Sequence, residues 1–158
     1  MDHANLLESL IQLLNEQKVK YCVIGGQAVN AYAEPLVSLD LDLVVAVDDL
    51  KRLEPIFDQR FKVDRFPHSL NISLPNSDLR VQIQTDSRYL DFPARAVARL
   101  VLGLSLPIAA LDDLLKGKIW AASDPLRRPT KRKKDMLDIA RLVEKFPELR
   151  SKVPPELL

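Results

Sequence analysis

The sequence predicts an α+β (mixed α/β) fold: a small mixed sheet with helices packed mainly on one face. Three observations predict it. Apolar patterns run in the order helix, strand, helix, strand, helix, then several strands, then helices. The apolar spacing switches between helical recurrence and strict alternation along that order. And one stretch, Leu39 to Val47, alternates at first and then turns apolar on both faces, as a central strand does. The 158 residues suit one domain, expected to span 1–158, with C-terminal helices at about 111–146 packed on it.

The elements follow in order. Leu6, Leu7, Leu10, Ile11, Leu13 and Leu14 give residues 3–17 a wide apolar helical face. Residues 20–24 form a buried strand that ends at Gly25-Gly26. Gln27 to Ala33 is a short helix, ended by Pro35. Asp48-Asp49 opens a helix that runs to about Gln59, with Leu50, Leu53, Ile56 and Phe57 turned inward. Phe61 to Phe66, Leu70 to Leu74 and Leu79 to Thr85 read as strands, with a turn at Pro75-Asn76-Ser77-Asp78 between the last two. Residues 93–102 read as a short helix and Leu104 to Pro107 as a short edge strand. Leu111 to Ala122 is helical, with acids at its start and Lys116 and Lys118 later, which matches the helix dipole. Residues 123–134 form a Pro-bearing basic connector, and Asp135 to Phe146 is the last amphipathic helix, with Trp120 on the preceding helix expected in the core.

Composition narrows the function. The net charge is +1, so attraction for nucleic acid requires a local patch. The single cysteine, Cys22, excludes an internal disulfide and reads as a buried, inert thiol. The N-terminus lacks the pattern of a signal peptide, and the longest apolar stretch, Leu100 to Leu111, is too short to span a bilayer. A cytoplasmic setting without membrane contact is expected.

The chemistry concentrates in Tyr21 to Val47. Asp40 and Asp42 sit two apart on a strand and therefore face the same way. Two adjacent carboxylates repel unless a cation joins them, and a hard, oxygen-seeking ion such as Mg²⁺ suits them. Gly25-Gly26 leads into a helix whose free N–H groups hold phosphate. Taken singly, the glycines serve a tight turn and the acids a solvated strand. Together, thirteen residues apart, they are far more specific.

In these residues the sequence resembles the nucleotidyltransferase superfamily that includes DNA polymerase beta and the minimal nucleotidyltransferases. Ile24-Gly25-Gly26 and Asp40-Leu41-Asp42-Leu43 match its signature. The wording GGQAVNAYAEP…SLDLDLVV, with Leu111-Asp112-Asp113-Leu114…Lys118…Arg127-Arg128…Lys134-Asp135…Asp138-Ile139-Ala140, is most similar to toxin–antitoxin-type members. The resemblance implies a nucleotidyltransferase-like fold and a Mg²⁺-dependent transfer of NMP from a nucleoside triphosphate to a hydroxyl of an RNA or protein acceptor, with an antitoxin as partner. It implies Asp40 and Asp42 as catalytic metal ligands, and phosphate held by Gly25, Gly26, Gln27 and Ser38. Lys116 and Lys118 are placed to reach into the nucleotide cleft.

The resemblance also implies a third carboxylate on a neighbouring strand, completing the metal site and helping to deprotonate the attacking hydroxyl, and there the sequence departs from the pattern. Gln82 stands in its expected place, and an amide cannot act as a base at neutral pH. Asp86, four residues on along the same face, is the candidate replacement. Leu36 stands where relatives often carry Arg, and Ala33 where they often carry Gly. Gln82 also supports a second reading: a catalytically impaired fold that binds nucleotide, RNA or protein. The basic run Arg127, Arg128, Lys131, Arg132, Lys133 and Lys134 either solvates a loop or meets polyanions at the cleft.

Overall fold

The computed structural model describes residues 3–158 and, from Leu6 on, their side chains. Its elements are α1 (His3–Glu16), β1 (Tyr21–Ile24), α2 (Gly25–Tyr32), β2 (Asp40–Val45), α3 (Val47–Arg60), β3 (Lys62–Phe66), β4 (Ser69–Ser73), β5 (Arg80–Gln84), β6 (Val97–Val101), β7 (Leu104–Ile108), α4 (Leu111–Ser123) and α5 (Pro129–Lys145). The strands make one mixed sheet in the order β3-β4-β5-β2-β1-β7-β6. β2 is central, antiparallel to β1 and parallel to β5. This is the α+β arrangement the pattern predicts.

Alternation divides the sheet by face. Leu41 and Leu43 of β2, Leu70 and Ile72 of β4, and Val81 and Ile83 of β5 are buried in one core with the leucines of α1 and with Leu50, Leu53 and Phe57 of α3. The residues between them point to the opposite face and are polar: Asp40 and Asp42, Ser69, Asn71 and Ser73, Arg80, Gln82 and Gln84. α4 lies over part of that polar face, since Leu114, Gly117 and Lys118 share a cavity with Asp42 and Gln82. Cys22 is fully buried, and burial, with the nearby Asp113 charge, pushes its thiol up to about 12, as an inert core thiol requires.

Three elements differ from the sequence pattern. Residues 93–102 are not a helix. Pro93–Arg95 is one 3-10 turn, and Val97–Val101 is a strand paired with β7. The two-residue loop Leu102-Gly103 has positive φ at both positions, 50° and 82°, the hairpin-forming geometry that local helix propensity does not register. α2 begins at Gly25 itself rather than at Gln27. And the basic connector is mostly helix: Pro129 occupies the first turn of α5, where its missing N–H costs nothing, so Lys131 to Lys134 lie on helix surface. Trp120 is half-buried, stacked on Phe92 with ring centres 5.9 Å apart.

Candidate active site

The site is built where β1 meets α2. Ile24 pairs with Asp42 across β1 and β2, so the chain leaves the sheet beside that carboxylate. Gly25 turns it with φ +73°, and a Cβ there would overlap Asp42 Oδ2. Only glycine meets both demands. Gly26 faces Ser38 Oγ. No side chain caps α2, so its first N–H groups are left for a ligand. The helix is fixed elsewhere. Tyr32 Oη donates to the Ala109 carbonyl at 2.8 Å, and Gln27 Nε2 donates to the Ser38 carbonyl at 2.9 Å. The buried Gln27 amide anchors the loop before β2, and its backbone N–H stays at the helix end, where the phosphate role was expected. Ser38 Oγ accepts from Asp40 N at 3.2 Å and so ties the loop to the acid strand. Gly25→Ala is expected to cost about 1–3 kcal/mol in urea denaturation through strain and overlap, and Gly26→Ala about 1 or less.

Asp40 and Asp42 share one face of β2, and the register carries that face outward. Asp42 stands beside Gln82, and Gln82 beside Asn71. Asp40 stands beside Arg80 and pairs with its Nε at 3.0 Å. Burial pushes the Asp42 carboxyl up to about 6. Lys118 pulls it down, the Asp40 charge raises it further, and Arg127 and Lys134 lower it. Asp42 and Gln82 sit where two cavities meet. The inner one, about 70 Å³, lies between the sheet and α4, with Gly25, Lys118, Arg127 and Asp135 on its polar side and Tyr89 and Phe92 on its apolar side. The outer groove, about 220 Å³, is bounded by Asp40, Asn71, Arg80, Arg128 and Lys131.

Behind the inner cavity runs a buried ionic chain. Lys118 Nζ lies 3.1 Å from Asp135 Oδ1 and 2.7 Å from Asp138 Oδ2. Arg127 Nε holds Asp135 at 2.6 Å, and Arg141 holds Asp138 at 2.9 Å. Arg141 also donates to Asn30 Oδ1 and the Glu34 carbonyl, which joins α5 to the end of α2. Lys118 therefore faces the cleft, as expected, but its charge is already shared by two carboxylates.

Two expected site residues are elsewhere. Lys116 is exposed on α4 and lines neither cavity. A helix step of two turns its side chain away from that of Lys118. Asp86 also lines neither cavity. It caps the 3-10 turn Ser87–Tyr89, accepting from Arg88 N at 2.9 Å, and its carboxylate pairs with the Arg88 guanidinium. Hydrogen bonds from Arg88 hold its carboxyl below the ordinary range. β5 ends at Gln84, so counting alternate residues past that point no longer tracks a face. Sequence reasoning missed Arg80 and Asn71. Alternation on β5 pointed to Arg80; Asn71 needed the β4–β5 register.

The residues present fit a hard divalent cation. Two carboxylates share a face, the Gln82 amide stands in the adjacent register, and the buried Asp42 charge is incompletely compensated. Asp40 and Asp42 would hold the ion. Among the described residues, no group of three or more His, Cys, Asp or Glu gathers as a metal site.

No protein-family model matches the sequence. No curated protein matches it either. Solved structures do. ANT(2'')-Ia, described as an antibiotic-resistance factor, aligns with a TM-score of 0.64 at 15% identity over 94% of this chain and 89% of that one. A structure of ANT(2'')-Ia with adenylyl-2''-tobramycin gives 0.61 at 15% identity, over 94% and 97%. An antigenic nucleotidyltransferase-like protein from Paracoccidioides brasiliensis gives 0.56 at 18%, over 93% and 89%. The lincosamide antibiotic adenylyltransferase LnuA, lincomycin-bound, gives 0.52 at 12%, over 86% and 95%. At these identities the likeness establishes the nucleotidyltransferase fold.

Proposed function

We propose that this chain, which carries the nucleotidyltransferase fold, is a Mg²⁺-dependent enzyme that moves an NMP from a nucleoside triphosphate to a hydroxyl of an RNA or protein acceptor. The observation that supports this best is the packing of Gly25 on Asp42: one turn brings free helix N–H groups and a carboxylate to the same point, where a triphosphate and its cation would meet. Asp40 and Asp42 would hold the cation, which when bound would supply charge neutralisation to the triphosphate. In the transfer, the acceptor oxygen bonds to the α-phosphorus, the bond from that phosphorus to the bridging oxygen breaks, and pyrophosphate leaves. The N–H groups of Gly25, Gly26 and Gln27 orient the phosphates, with Ser38 fixing the loop beside them. The hydroxyl proton has few destinations. Gln82 cannot accept it. Asp40 is tied to Arg80 at 3.0 Å, which leaves Asp42, lining both cavities, as the candidate base.

An amine-rich acceptor of the tobramycin kind would meet Arg80, Arg128 and Lys131 at the outer groove. Like-charge repulsion disfavours it, which leaves the RNA or protein acceptor, and with it the toxin–antitoxin setting, as the better reading. A second reading, a fold retired from catalysis that binds nucleotide, is favoured by the Arg80 guanidinium on Asp40 and by Gln82 in the third position.

The test is label transfer. The protein is incubated with Mg²⁺, each α-labelled NTP in turn, and a lysate containing protein and tRNA. Label is expected on one acceptor class from one or more NTPs, and none is expected with EDTA. No transfer from any NTP, with no thermal shift by any Mg–NTP, sinks the enzyme reading. A thermal shift without transfer selects the binding module; at 100 times the dissociation constant the shift should correspond to about 2.7 kcal/mol.

A further inference from the structure

Arg80 stands where a cation is expected. β5 lies parallel to β2, with Asp40 opposite Arg80 and Asp42 opposite Gln82, so two acids, an amide and a guanidinium share one patch of the polar face. The backbone there is fixed, because Arg80 N donates to the Leu39 carbonyl at 2.9 Å. The side chain is not fixed. It is 69% exposed and meets Asp40 Oδ1 through Nε at 3.0 Å, and the Asp40 side chain is itself 42% exposed. Such a pair is weak and readily exchanged. The guanidinium therefore occupies one of the two carboxylates assigned to the divalent cation without being locked there.

The charges around the site are balanced before any divalent ion arrives. Four carboxylates, Asp40, Asp42, Asp135 and Asp138, lie at the site and in the ionic chain behind it. Four cations lie among them: Arg80 on Asp40, Arg127 on Asp135, Arg141 on Asp138, and Lys118 between Asp135 and Asp138. Arg128 and Lys131 add positive charge at the outer groove, which Arg80 also lines, and neither side chain makes an ion pair among the described residues. A divalent cation arriving alone must displace Arg80 from Asp40, press it towards two further cations and leave the site with excess positive charge. Like charges at such range repel. A cation arriving with a triphosphate avoids this penalty, since three phosphates carry more negative charge than one divalent ion cancels.

We propose that Arg80 is a resident counter-ion of the metal site. It holds Asp40 until cation and polyphosphate arrive together, and so makes this chain select the metal–triphosphate pair over the free metal ion. The proposal rests on the nucleotidyltransferase reading of Asp40 and Asp42. The ion pair that favours the binding-module reading thus has a use within a working site. By linkage, metal and polyphosphate each tighten the binding of the other, and Arg80 supplies part of that coupling.

Metal binding, measured without any transfer, tests it. Calorimetric titrations with Mg²⁺ alone and with Mg²⁺–inorganic triphosphate are compared for wild type, Arg80→Gln and Arg80→Lys. Arg80→Gln should bind free Mg²⁺ about fivefold more tightly than wild type, the upper end of what an exposed ion pair opposes. That gain should vanish with Mg²⁺–triphosphate. Arg80→Lys keeps the charge and should bind free Mg²⁺ as wild type does. In the wild-type chain, the Arg80 Nε–H resonance should move when Mg²⁺–triphosphate binds, as the contact with Asp40 breaks. Should Arg80→Gln fail to fold, that resonance decides alone. Free Mg²⁺ binding unchanged in Arg80→Gln, an equal gain for both ligands, the same gain in Arg80→Lys, or an Arg80 resonance that stays put at saturation each overturns the proposal. Any of these beside intact label transfer leaves the enzyme reading standing. If neither wild type nor variant binds Mg²⁺, with or without triphosphate, the metal reading of Asp40 and Asp42 falls and the proposal falls with it.

Discussion

Asp42→Asn should make the protein more stable while removing its transfer activity. The folded chain holds the Asp42 carboxyl up to about 6 against an ordinary 3.8, mainly because burial disfavours the charge. The proton is therefore bound more tightly in the folded state than in the unfolded one. The stabilisation this gives is complete below about 4, and it is lost as pH rises through about 6. At pH 7.5 the charged carboxylate is a cost of roughly 3 kcal/mol at about 1.4 kcal/mol per pK unit. An amide removes that cost but needs partners of its own, so a net gain of about 2 kcal/mol is expected in urea denaturation at that pH. The gain should shrink towards pH 5, where wild-type Asp42 is itself protonated. Transfer should fall by about 10³-fold, the scale of several kcal/mol of transition-state charge stabilisation. Asp40→Ala should lose activity similarly without the stability gain, since Asp40 is more open and already paired with Arg80. An Asp42→Asn variant that is less stable than wild type at pH 7.5, or that transfers within tenfold of it, would refute this account of the site. A gain in stability paired with lost function is the pattern expected of a group held in place for chemistry.

The second large effect is at Lys118. Lys118→Met should cost about 3–5 kcal/mol, because removing one partner strands buried charge. Asp135 and Asp138 are each 1% exposed, and Lys118 is 8% exposed between them. Burial alone would lower the Lys118 pKa, but Asp138 and Asp135 outweigh it and hold the ammonium above its ordinary range. That pair energy is fully present below the unfolded lysine pKa and fades only as pH rises past the folded one, so the loss should be flat across neutral pH. Arg127 and Arg141 remain to share the two acids, which places the expected value near the lower end. The double variant with Asp135→Asn should recover part of the loss. Purely additive losses, or a single-variant cost under about 1 kcal/mol, would show that the ionic chain contributes little. Loss of Lys118 should also loosen the seat of α5, which Arg141 ties to Asn30 and the Glu34 carbonyl at the end of α2.

The parts of the site legible from sequence are those set by neighbours along the chain. Gly25-Gly26 announces a strand-to-helix turn wherever the rest of the protein goes, and Asp40 and Asp42 share a face because strand side chains alternate. The acid missing at Gln82 was legible through the family resemblance, and alternation on β5 puts Gln82 on the face opposite the core residues Val81 and Ile83. Reading failed where that regularity stopped. Asp86 follows the end of β5, and its side chain is taken up in capping the 3-10 turn Ser87–Tyr89. Residues 93–102 read as helix, yet a two-residue turn and pairing with β7 make Val97–Val101 strand. Lys116 lies on the helix Leu111 to Ala122, whose sequence gives no sign of which face meets the sheet.

By itself the sequence determined the element types outside residues 93–102 and the basic connector, the apolar and polar sides of β2, β4 and β5, and the turn that places glycine against a carboxylate. These are consequences of local geometry, fixed within a few residues. Tertiary structure alone decided which strands lie side by side. That choice set Arg80 on Asp40, placed Asn71 in a row with Gln82 and Asp42, and surrounded Lys118 with two acids from a helix far along the chain. Such pairings depend on sheet order and on α5 folding back over α4. They are chosen by burial of the whole core, and no local pattern encodes them.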